Sequence, residues 1–171
     1  MKKLSKIVAL LLAGAMAMVM LTACSGGGGA PEVPGNPKEQ EMMQTIKQSS
    51  QGKGIKENDP GLYQTALTDL NTDIEAQSKR GGIFLGRVRV NGIKPAEENV
   101  TITVTADYRA SELLTNLLNS IGAYIGITYP GANVDFKANN SWSKAAVVVR
   151  SNEYGTYVAV AIQVKNLNYP K

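Results

Sequence analysis

Histidine is absent from this 171-residue chain; cysteine and tryptophan occur once each, beside two phenylalanines and seven tyrosines. Without histidine there is no Ser-His-Asp or Cys-His nucleophile pair, no imidazole to move protons near neutral pH and no histidine-containing zinc site. A single cysteine excludes an internal disulfide and a cysteine-rich metal cluster. Neither sign of charge dominates, with 18 Lys and Arg against 14 Asp and Glu. No phosphate-cradling P-loop or dinucleotide glycine motif is present, so no cofactor is expected. The length suits one domain with a tail.

What is present begins at the amino terminus. Lys2, Lys3 and Lys6 precede the uncharged residues 7–21, a run too short for the roughly 20 apolar residues of a membrane-spanning helix but suited to an export signal. Leu21-Thr22-Ala23-Cys24 then stands where a cleavage site is expected. This segment resembles the lipobox signal of bacterial lipoproteins. The resemblance implies that residues 1–23 are a signal peptide and that Cys24, diacylated on its thiol, becomes the first mature residue. The chain would then sit on the extracytoplasmic face of a bacterial membrane, on the cell surface or in a periplasm. Each buried CH₂ contributes about 0.8 kcal/mol, so two or three acyl chains hold a protein durably. Cleavage removes three lysines and no acid, leaving 15 basic against 14 acidic side chains. That balance argues against a nucleic-acid partner.

Residues 24–59 are expected to form the lipidated N-terminus and a flexible linker. Residues 25–59 hold seven Gly, three Pro and no aromatic side chain, a composition unable to build a core. Within them residues 37–47 are rich in helix formers, with Met42, Met43 and Ile46 at helical spacing. A short isolated helix is marginal in water, so this one is expected to be nascent unless it docks on the domain or a partner.

Residues 60–171 are expected to form a small α+β domain. Asp59-Pro60 is a helix start, and Leu62, Ala66, Leu67, Leu70, Ile74 and Gln77 make one stripe of a helix over 60–79 that Gly81-Gly82 stops. Residues 83–90 read as a strand, and Asn91-Gly92 opens a loop. Val100, Ile102, Val104 and Ala106 alternate with Thr101, Thr103 and Thr105, as in a strand with one buried and one wetter face. Asp107 is expected to cap a helix carrying Leu113, Leu114, Leu117, Leu118 and Ile121, which frays at Gly122 and Gly126. Residues 134–136 suggest a short strand. A hairpin follows, over 144–150 and 156–165, with Gly155 supplying positive φ in its turn. The alanines Ala159 and Ala161, on the face opposite Val158, Val160, Ile162 and Val164, point to a closely approaching helix or second layer. The expected architecture is a two-layer sandwich, a mostly antiparallel sheet with helices on one face in the order α-β-β-α-β-β.

That order is similar to the BON domain, a small bacterial envelope module of osmotic-stress and phospholipid-associated proteins. The glycine-and-valine pattern of its second strand is not matched by residues 99–105. The final hairpin resembles the end of CAP-superfamily domains, whose histidine- and glutamate-lined cleft a chain without histidine cannot carry. Neither resemblance transfers a site residue. Both imply an adaptor for envelope lipid or wall polymer.

Several residues are candidates for ligand binding. Arg87 and Arg89 share a strand face and suit phosphate or carboxylate groups, or form an ordinary solvated face. Trp142, flanked by Asn139, Asn140 and Ser141, has the setting of a sugar-stacking residue, or closes the end of the core; Tyr129 would join it. A carboxylate pair among Glu97, Glu98, Asp107, Glu112, Asp135 and Glu153 would allow glycoside hydrolysis without histidine, but loop solvation, capping and turn polarity account for each more simply. No metal site is expected. The function expected is a non-catalytic binding or interaction module held at a membrane by lipid, its partner an envelope protein or wall polymer.

Overall fold

The computed structural model describes residues 36–94, 96–108 and 112–170. The expected signal peptide, Cys24 and the first part of the expected linker lie outside the described residues. Within the expected linker, however, residues 37–48 form a helix, and residues 49–59 follow in turns and bends. Helix α1 (Pro37–Gln48) is capped by Asn36, whose side chain accepts the Glu39 N–H, and it buries Met42, Met43 and Ile46. Docking supplies the stabilisation that an isolated helix of this length lacks.

Helix α2 (Pro60–Lys79) has the expected limits, with the Asp59 carboxylate accepting the Leu62 N–H at 3.0 Å. Strands β1 (Val88–Asn91) and β2 (Asn99–Asp107) follow, then helix α3 (Leu113–Thr128) and strands β3 (Trp142–Asn152) and β4 (Gly155–Lys165). The four strands form one antiparallel sheet in the order β1-β2-β4-β3. The expected α+β class and antiparallel sheet are present, in the expected element order with α1 added in front.

The helices cover both faces of this sheet rather than one. On one face Val158, Val160, Ile162 and Val164 join Val100, Ile102, Val104, Val147 and Val149 beneath α1 and α3. On the other, Ala146, Val148, Tyr157, Ala159 and Ala161 pack against Leu62, Tyr63, Ala66 and Leu70 of α2. The alanines cause this: with almost no side chain between them, the helix and the sheet come close, and Ala66 and Ala159 are fully buried. The threonine face of β2 is therefore not wet, and Thr103 and Thr105 lie buried under α2.

Other boundaries shift for local reasons. Regular pairing of β1 starts at Val88, with the Arg87 carbonyl accepting the Thr105 N–H just before it, and Gly86 crosses so near β2 that a Cβ there would lie 2.4 Å from the Thr105 carbonyl oxygen. Asp107 is the last residue of β2; α3 begins at Leu113, where Glu112 in the N-cap position makes no side-chain cap bond among the described residues, and runs through Gly122 and Gly126 to Thr128. The strand expected at 134–136 is a single bridge between Val134 and Asn166. In the β3–β4 turn the work assigned to Gly155 is done by Asn152, whose side chain accepts the Tyr154 and Gly155 N–H groups. Gly92 does take positive φ, +97°, in the expected β1–β2 loop.

Candidate functional site

The sheet leaves β3 as an outer strand with unpaired backbone groups, a form that invites pairing with another chain. Residues 36–59 cover it. The Glu39 carboxylate accepts the Val149 N–H at 2.8 Å, and the Asn58 side-chain oxygen accepts the Val147 N–H at 2.7 Å. The Asp59 N–H donates to the Ala145 carbonyl, Asn36 donates to the Val149 carbonyl, and the Trp142 N–H reaches the Gln51 carbonyl. The other edge strand, β1, has only four residues.

Glu39 is fully buried and also accepts from the Tyr63 hydroxyl, with Arg150 at 3.6 Å. Burial, with the nearby Glu39 charge, raises the Tyr63 pKa above the usual phenol value. Asp73 of α2 is buried beneath the sheet's second face. Arg89 grips it with two parallel bonds of 2.8 and 2.9 Å, and the Thr105 hydroxyl donates to it at 2.6 Å. Arg87 approaches the same carboxylate at 3.5 Å, while Asp69 lies 3.3 Å from Arg89. The hydrogen bonds to Asp73 hold the Arg89 guanidinium charged, raising its pKa. Arg87 and Arg89 are thus brought together, but against acids of the same chain, as the pin between β1 and α2.

Trp142 is buried, and its indole N–H donates to the Phe136 carbonyl at 2.9 Å. It closes the core and presents no face for stacking a sugar. Asn139 and Asn140 are exposed beside it; Asn140 takes φ +54°, and its N–H bonds the Ser50 carbonyl. Tyr129 stands elsewhere. It lines an open recess of about 280 Å³ with Ile93, Lys94, Pro130, Asn166 and Asn168. The Lys94 ammonium lies 5.8 Å from the Tyr129 ring centroid, and Tyr124 packs edge-on to that ring at 6.2 Å. The recess is smaller than the pockets of about 300–1,000 Å³ that enclose drug-sized ligands, and suits a single ring or side chain. Its aromatic, cationic and amide groups are those that contact sugars and acidic polymers.

The buried acids were missed in the sequence, yet each leaves a trace there. Glu39 precedes Met42, Met43 and Ile46 by three, four and seven residues, and Asp73 falls three after Leu70 and four before Gln77. Both are charges on an apolar stripe, which requires a partner inside. Among the described residues no helix is long and apolar enough to cross a membrane. Comparison of the chain with family models, curated proteins and solved structures found no match.

Proposed function

We propose that the chain is a lipid-anchored protein of a bacterial cell envelope, presenting a small non-catalytic binding or interaction module on the extracytoplasmic side of a membrane. The observation that carries this reading is Leu21-Thr22-Ala23-Cys24 after a lysine-flanked apolar run. The folded unit adds support of a different kind. Its buried carboxylates, Asp73 and Glu39, are committed to internal partners that position helices on the sheet. A Cys24→Ala variant tests the anchor: the unaltered protein should take up a labelled fatty acid and fractionate with membranes, and the variant should do neither. Membrane association of the variant at the unaltered level would overturn it.

A second reading, an adaptor for wall polymer of the BON-like or CAP-like kind, is favoured by the recess at Tyr129. Titration with soluble wall fragments should then perturb Tyr129 and Lys94. A response equal in the Tyr129→Ala variant would remove this reading.

A further inference from the structure

Among the described residues large apolar side chains are exposed at both ends of the sheet, Ile127, Leu167 and Tyr169 at the end with the Tyr129 recess and Ile83, Leu85 and Tyr154 at the other. Ile83 is 62% exposed, Tyr154 51% and Leu85 50%. Phe84, between Ile83 and Leu85, turns inward and stacks on Tyr157 with ring centroids 4.2 Å apart. Ile83 and Leu85 on either side of it are exposed. Tyr154 sits in the β3–β4 turn with its ring against Gly82, where an added Cβ would lie 2.8 Å from the ring carbons. Gly82 has φ +90°, so the ring rests on a backbone that carries no side chain. The loop after α2 and the β3–β4 turn are thus one surface.

The chain enters the fold at this same end. Asn36, which opens α1, bonds the Val149 carbonyl, and Lys38 bonds the Thr156 hydroxyl beside the turn. Cys24 precedes Asn36 by twelve residues, which can span at most about 40 Å. The opposite end of the sheet, with the Tyr129 recess, lies the length of β4 away, roughly 35 Å for eleven residues. A short tether makes the local concentration of membrane highest at the end from which it leaves.

We propose that Ile83, Leu85 and Tyr154 form a membrane seat, dipping into the interface of the bilayer that holds the lipid anchor. The proposal rests on the anchor reading above and goes beyond it, because an anchor alone leaves the domain free to tumble. Exposed Lys38, Lys79 and Arg80 are matched at this end by exposed Asp107, Glu112 and Glu153. The seat therefore acts through apolar contact, independent of anionic lipid and little altered by salt. It turns the Tyr129 recess away from the membrane.

The test uses the lipidated full chain in phosphatidylcholine vesicles with brominated acyl chains. A fluorophore is placed at Glu153→Cys, beside the seat, or at Leu167→Cys, at the far end. The lipid should quench the probe at 153 and leave that at 167 bright, and raised salt should not change this. Adding Ile83→Ser and Leu85→Ser should abolish the quenching while the protein still floats with vesicles and keeps its circular dichroism. Failure of the unaltered protein to float would overturn the anchor and the seat together. Flotation without quenching at 153, or quenching that survives the serine pair, would overturn the seat alone. Self-quenching between 153 probes on vesicles, without lipid quenching, would assign the patch to a second copy and likewise overturn it.

Discussion

Two threonines on one strand face differ in what their hydroxyls meet. Thr105 donates to Asp73 and accepts the Arg87 N–H at 2.9 Å, whereas the Thr103 hydroxyl, equally buried, has no partner among the described residues. A buried hydroxyl without a partner costs about 1–3 kcal/mol, and replacing it by a methyl of the same shape removes that cost. Thr103→Val should therefore raise the free energy of unfolding by about 1 kcal/mol, while Thr105→Val should lower it by about 2 kcal/mol; urea titration distinguishes the two. Tyr108 gives a pH dependence. Burial, together with its 2.8 Å bond to Glu41, pushes its pKa from 10.0 up to about 12. The folded state thus holds the phenol proton more tightly than the unfolded chain. This contribution is fully present below pH 10 and is lost as pH rises towards 12. Tyr63 shifts in the same direction. Tyr108→Phe should flatten the alkaline fall in melting temperature, and titration at 295 nm should show one late-ionising phenol fewer.

At the scale of elements, the difference between tether and fold is decided in α1. Its residues have good helix propensity, and Met42, Met43 and Ile46 share a face, which was legible; that this face is covered was not. In a linker Ile46 would be exposed to solvent; in the fold it is fully buried. If α1 were an appendage, Ile46→Ala would be silent. Docked as it is, the substitution should cost about 3 kcal/mol, read as a shift of the urea midpoint. The limits of α2 were legible because Asp59, Pro60 and Gly81 act on their own local backbone. Those of α3 were not: Asp107 is still part of β2, opposite Tyr157, and the helix starts only at Leu113.

For the molecule as a whole, the sequence by itself determined the class of the domain, an antiparallel sheet with helices in a set order. Periodicities of two and 3.6 are local and survive without knowledge of what covers them. It also showed what chemistry the absence of histidine removes, and Leu21-Thr22-Ala23-Cys24, on which the proposed anchor rests, is a linear pattern. The alanines of β4 announced a second layer. Only the tertiary structure decided that α2 supplies it and that α1 lies on the opposite face with α3. It also decided that Arg87 and Arg89 face Asp73 instead of a ligand, that Trp142 turns inward, and that Tyr129 stands in a recess with Lys94 and Asn166. The reason is the range over which each is set: spacing along a chain assigns a residue to a face, but a charge or a ring acquires its role from groups far away in sequence. Asp73 and Thr105 are 32 residues apart, and Glu39 and Val149 are 110.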